Sequence, residues 1–277
     1  MGKIAIVTDS NSGITQAQAE ELGVYVIPMP FYINEKMYLE GVTLTQEEFY
    51  EKLKKDEPIS TSQPSPADLC DLWDKLLRDY EEIVHIPMSS GLSASCSTAM
   101  GLAIDYNGRV QVVDNQRISV TQRQSVMDAK MLAEAGKSAA EITAALEEVR
   151  PKVRASFVVD TLMYLYRGGR CNAVAAMAGR VLKLHPKIVV ENGAMDAAKK
   201  YRGKLHSVVM SYVRDMEADL KNARPERVFI THSGCDRKIV EDVQAYLQSL
   251  GIFQEILETR AGGVVSSHCG PGTLGVL

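Results

Sequence analysis

The chain has 277 residues, of which 45% are hydrophobic and 24% charged, with 31 Lys plus Arg against 35 Asp plus Glu for a formal net charge of −4. At about 150 residues per domain this length suggests two domains, and the slightly acidic balance argues against nucleic acid as a partner, the short basic run at Lys199, Lys200 and Arg202 reading as solvated surface. Cys70, Cys96, Cys171, Cys235 and Cys269 are scattered and odd in number, which fits the reduced thiols of a cytoplasmic protein better than a disulfide frame or a zinc site, and the histidines lack metal-ligand spacing.

The first β-branched run, residues 4–7, predicts a strand. It is too short for a signal peptide, and no run of eighteen apolar residues follows it, so neither a leader nor an integral membrane segment is expected. Ile6 also fails the Ser/Thr requirement for myristoylation. VTDSNSG puts Asp9 and Ser10 at the carboxyl end of this strand, either lining a cleft or capping the next helix. A helix following Thr15 is expected to stop at Gly23, before a strand at 24–27. Thr45 with Glu48 marks a helix start by its capping box. In STSQPSP, Ser65 and Asp68 make another box with Pro66 at the first helical position. The stripe Leu69, Leu72, Trp73, Leu76 and Leu77 carries that helix onward. Thr61 and Ser62 then stand near a helix entrance, as ligand hydroxyls or as ordinary turn chemistry. A strand at 83–86, a helix at 92–106, a strand at 110–113 and a box at Ser138 and Glu141 follow. This alternation implies parallel strands covered by helices, an α/β domain over residues 1–152. Residues 153–277 read as a smaller α/β domain with a mixed sheet, with strands near 153–159, 187–190, 228–231 and 252–257 and helices near 205–220 and 239–250. No Pro-, Gly- or Ser-rich linker separates the two, so tight packing is expected.

HIPMSSGLSASCST places Ser89, Ser90, Ser93 and Ser95 around Gly91 in a strand-to-helix loop. In open α/β sheets ligands bind outside the carboxyl ends of strands, and a helix N-terminus offers N–H groups and a favourable dipole. Neutral hydroxyls there suit a carboxylate or phosphate cradle. The alternative is a helix capped by Ser90 or Ser93 with the rest solvated. GLSAS approximates the G-x-S-x-G elbow and offers Ser93 as a nucleophile, but Ser95 stands where the second glycine belongs. MYLYRGGRCNA reads as a loop opening a helix, with Gly168 and Gly169 permitting an unusual backbone. Arg167 and Arg170 flank them, to hold an anion, dock a partner, or remain solvated. VVSSHCGPGTLG contains G-x-G-x-x-G at Gly270, Gly272 and Gly275, but without the helix and strand of a dinucleotide site. His268 lies there among small residues in a loop-like run.

VTDSNSG, STSQPSP, SSGLSAS, LYRGGR and SSHCGPGTLG, in this order and over the whole chain, resemble the DegV family, the fatty-acid-binding subunits of bacterial fatty acid kinase. The resemblance implies two α/β domains, an N-terminal three-layer domain with a parallel sheet and a smaller C-terminal one, with a lipid site between them. It implies one long-chain fatty acid as ligand and a fatty acid kinase catalytic subunit as partner. That partner would supply ATP and magnesium and form the acyl phosphate for phospholipid metabolism. No cofactor or metal is then expected on this chain, and no catalysis by it. Carried over by motif, Thr61, Ser62 and Ser93 would hold the carboxylate with His268 near it. Asp9, Ser10, Ser89, Ser90, Gly91 and Arg170 would face the cleft or the partner. Transient membrane contact is compatible with this role. Ala94-Ser95 and Cys171 depart from the usual pattern, which bears on the tail pocket. The alternatives are a serine esterase using Ser93 and His268, and a lipid carrier or sensor without a kinase.

Overall fold

The structure, a computed structural model, describes residues 3–171 and 184–277. Two compact units divide it. One runs to Val153 and takes in Asn192–Ala194; the other comprises Arg154–Glu191 and Met195–Leu277.

The first unit contains, in chain order, β1 (Ile4–Asp9), a 3-10 turn (Ser10–Ser12), α1 (Gln16–Leu22), β2 (Tyr25–Ile27), β3 (Pro30–Ile33), β4 (Lys36–Leu39), α2 (Gln46–Lys54) and β5 (Ile59–Thr61). It continues with α3 (Pro66–Leu76), β6 (Glu82–Ile86), α4 (Ser95–Ala103), β7 (Val110–Val112), α5 (Val120–Glu134) and α6 (Ala139–Val149). The main sheet has the order β2-β1-β6-β7 and is parallel throughout. Successive side chains of a strand point to opposite faces. Ile6, Val84 and Ile86 pack with Ala19, Val126, Ala129 and Ile142 from α1, α5 and α6. Ala5, Val7 and Ile83 pack on the other face with Leu69, Trp73, Leu76 and Ala99 from α3 and α4. Burial on both faces explains why these strands read as short, almost continuous apolar runs. The helix starts form as expected. Thr45 with Glu48 and Ser138 with Glu141 make reciprocal capping boxes, and Ser65 Oγ accepts from the Asp68 N–H with Pro66 behind it.

An element absent from the expectations is a three-stranded antiparallel sheet, β4-β3-β5. Its strands are only three or four residues long, and β3 begins at Pro30, a residue depleted in strands. The hairpin turns at Asn34 and Glu35, both in the left-handed region at φ 49 and 65. Thr61 therefore ends a strand, paired with Phe31, rather than standing at a helix entrance. The helix expected over 92–106 begins at Ser95, because the Leu92 and Ser93 N–H groups both turn back to the Ser89 carbonyl.

The second unit contains β8 (Ala155–Val158), α7 (Met163–Gly168), β9 (Leu184–Glu191), β10 (Ala194–Arg202), α8 (Leu205–Asp215) and α9 (Glu217–Lys221). It ends with β11 (Arg227–His232), α10 (Arg237–Ser249), β12 (Glu255–Arg260), α11 (Gly263–Cys269) and β13 (Leu274–Val276). Its sheet is mixed, in the order β10-β9-β8-β13-β11-β12, with β11 and β12 parallel and β13 antiparallel to both β8 and β11. Val208, Tyr212, Ile239 and Val243 from α8 and α10 cover Val158, Ile230 and Val276 of the sheet. Three expectations are corrected. The helix expected over 205–220 breaks at Met216. The strand expected over 252–257 starts at Glu255, because Phe253 packs onto the helix-side core instead of joining the ladder. The terminal segment is no loop: His268 lies on α11, and the residues after the glycines form a central strand.

Candidate functional site

In the order β2-β1-β6-β7 the chain leaves β1 toward β2 and leaves β6 toward β7, so the connections diverge between β1 and β6. The carboxyl ends of such a strand pair frame the usual ligand crevice of an open α/β sheet. A small, partly open recess lies at this edge of the first unit. Asp9 and Ile27 reach it from the ends of β1 and β2, and His85 and Pro87 from β6. Gln63 and Pro64 come from the STSQPSP loop, and Ser95 and Thr98 from the first turn of α4. The two hydroxyl-rich motifs thus meet around one cavity. Thr98 Oγ1 donates to Gln63 Oε1 at 3.1 Å and ties them together.

Asp9 is buried, and its carboxylate is saturated. Met88 N–H donates to Oδ2 at 2.7 Å, and Asn11 N–H and Gln122 Nε2 donate to Oδ1 at 3.0 and 3.1 Å. Burial still raises its pKa above the ordinary carboxylate value, the hydrogen bonds opposing the rise. By binding Met88, Asp9 anchors the start of the serine loop. Ser10 Oγ donates to Glu40 and accepts from Met29 N–H. Ser89 Oγ donates to the Gly193 carbonyl at 2.6 Å, and Ser90 is held through its N–H and hydroxyl by Asp114. Gly91 leaves room for Gly193: a Cβ on it would stand 2.5 Å from the Gly193 oxygen. These residues build the loop. Ser93 is half-buried, and its Oγ accepts a 3.2 Å bond from Ser95 N–H; among the described residues no base bonds it. Ser62 is exposed and donates to its neighbour's carbonyl.

Sequence reasoning did not single out His85, Gln63 or Thr98. For His85 a signal existed: it is a polar residue inside the apolar strand run immediately before the serine loop. It is buried, edge-on to Trp73, with Trp73 Nε1 donating to its Nδ1 at 3.1 Å. Burial pushes its pKa down to about 3.

In the second unit α7 and α11 carry the remaining expected residues. Gly169 closes α7 in the left-handed region at φ 65, while Gly168 is required for approach: a Cβ there would lie 2.3 Å from His268 Nδ1. The RGGR motif therefore ends a helix; the expectation that the segment opens one falls beyond Cys171, outside the described residues. Arg170 is exposed, and its Nη1 donates to the Gly168 carbonyl at 2.6 Å. Burial, with the nearby Arg170 charge, pushes the His268 pKa down to about 4, so the imidazole is neutral at pH 7. Among the described residues no three His, Cys, Asp or Glu side chains cluster as a metal site, and no helix is long and apolar enough to cross a membrane.

The family model described as "Uncharacterised protein, DegV family" matches residues 3–277. The chain belongs to the DegV family. It is 33% identical over 276 residues to a DegV domain-containing protein of Deinococcus radiodurans, covering 99% of this chain and 97% of that one. Among solved structures it is similar to a DegV family protein of Thermus thermophilus described for its fatty acid binding, with 31% identity and a TM-score of 0.89, covering 99% of this chain and 98% of the other. It is also similar to DegV of Bacillus subtilis, described as a fatty acid binding protein, with 27% identity and a TM-score of 0.87 over 100% and 98% of the two chains. The mixed α/β fold with a parallel sheet is common to these DegV structures.

Proposed function

We propose that this chain binds a long-chain fatty acid and presents its carboxylate to a separate kinase for acyl-phosphate formation, without catalysing a reaction itself. The observation that carries this reading is that the STSQPSP and SSGLSAS motifs, which supply Thr61, Ser62 and Ser93, meet at the sheet's diverging edge, beside a recess lined by their neighbours Gln63, Pro64 and Ser95. Fatty acid binding by the Thermus and Bacillus relatives supports it. Thr61, Ser62 and Ser93 are assigned to the carboxylate, with His268 beside it and Arg170 toward the kinase. ATP and magnesium belong to that partner, and the setting is the cytoplasm. Neutral hydroxyls hold a carboxylate without sequestering it behind fixed charge, so it remains a nucleophile. Each buried methylene gains about 0.8 kcal/mol, so a sixteen-carbon tail gains roughly 10 kcal/mol before ordering costs. The tail sets affinity and the hydroxyls set position.

Solvent extraction of the purified protein and mass spectrometry is expected to yield a fatty acid enriched over a control protein, and added fatty acid is expected to raise the melting temperature. Absence of both results removes the binding claim. Ser93→Ala is expected to cost about 1.5–3 kcal/mol of binding, about ten- to a hundredfold in Kd. In a reconstituted kinase assay Arg170→Ala is expected to impair acyl-phosphate formation more than binding; equal effects would detach Arg170 from the kinase.

A further inference from the structure

The recess holds donors that a plain hydrocarbon cannot use. Trp73 Nε1–H can only donate, so His85 Nδ1 must accept, and the His85 proton resides on Nε2. His85 lines the recess, and among the described residues its Nε2 forms no hydrogen bond. Ser95 Oγ, on the same recess, is buried and also without a partner. The His85 imidazole stays neutral, its pKa pushed down to about 3 by burial. Ile27 and Leu69 make part of the wall apolar, and Asp9 meets it with a carboxyl group already engaged by Met88, Asn11 and Gln122. A methylene segment seated here would leave both donors unpaired, which is costly. A neutral oxygen would satisfy both. We propose that the recess is a subsite for a hydroxyl or keto oxygen on the acyl chain, so that the protein prefers oxygenated long-chain acids to their unsubstituted parents.

This rests on the fatty-acid reading above. A site built to hydrogen-bond a hydroxyl discriminates against the analogue that lacks it, because its own polar groups are then left unpaired. The test is calorimetric titration of the delipidated protein with stearic acid and with its monohydroxy and monoketo positional isomers. At least one isomer is expected to bind about five- to tenfold tighter than stearic acid. Ser95→Ala and His85→Phe should bring that ratio toward one. His85→Gln, which can both accept from Trp73 and donate into the recess, should keep it. If His85→Phe does not fold, the ratio in Ser95→Ala decides. If stearic acid binds and no isomer binds tighter, the recess takes water only and the proposal is overturned while the fatty-acid reading stands. A preference that survives Ser95→Ala and His85→Phe overturns it as well. If no acid binds, both fall.

Discussion

His85 and Asp9 line the same recess and shift the protein's pH response in opposite directions. The folded-state pKa of His85 is depressed to about 3, against about 6.5 in an unfolded chain. Between these values the unfolded state binds the extra proton, so stability falls as pH drops through that window, by up to about 1.4 kcal/mol per pH unit. Asp9 has a raised pKa. Its contribution is most favourable below the ordinary carboxylate value and is lost as pH rises through the raised one. Urea denaturation of the wild type and of His85→Gln between pH 7 and pH 4 separates the two effects: the wild type is expected to lose stability more steeply with acid. Parallel curves would mean that His85 accepts a proton in the folded state. Ser93 and Thr61 were singled out because small polar residues clustered between apolar elements stand out, and neither lines the recess. His85 was not, because one histidine in an apolar strand looks like a core residue until its free nitrogen is placed against a cavity.

At the scale of elements, α7 and α11 show two glycines serving different physics. Gly169 takes a left-handed backbone, where an Ala costs about 1–2 kcal/mol. Gly168 has an ordinary helical backbone and is small so that the His268 ring can approach. Gly169→Ala is expected to lower the melting temperature with little effect on the shift that fatty acid produces. Gly168→Ala should displace His268 and reduce that shift. If Gly168→Ala leaves the ligand-induced shift intact, His268 has no part in holding the carboxylate. The motif was visible in the sequence, but which glycine did what depended on a helix a hundred residues later. The antiparallel β3–β5 sheet escaped notice for a related reason. Strands of three or four residues show too few alternations to declare a period, and only their pairing stabilises them.

At the scale of the whole molecule, Arg117 gathers distant segments of the first unit. It is 5% exposed, and its guanidinium donates to the carbonyls of Val149, Arg150 and Val153, where the chain leaves that unit. Its own carbonyl accepts from Ser89 N–H at 2.9 Å. Burial, with Arg150 beside it, lowers its pKa to about 10, which leaves it charged at neutral pH. Arg117→Met is expected to cost about 2–4 kcal/mol, since it removes a buried guanidinium and its bonds to three part-buried carbonyls at once. Equilibrium urea denaturation measures this, and a loss under 1 kcal/mol, the order of a surface pair, would show that the carbonyls find other partners. By itself the sequence determined the α/β class, the parallel character of the first sheet, the capped helix starts and the family, because each is written in local periodicity, caps and motif order. Only the tertiary structure decided which polar residues face a cavity and which are spent on the fold. Ser89, Ser90 and Asp9 are engaged with Gly193, Asp114 and Met88, while among the described residues Ser95 Oγ and His85 Nε2, both on recess-lining residues, form no hydrogen bond. That division depends on which donor meets which acceptor across 24 to 104 residues of chain, and no local pattern of residue types records it.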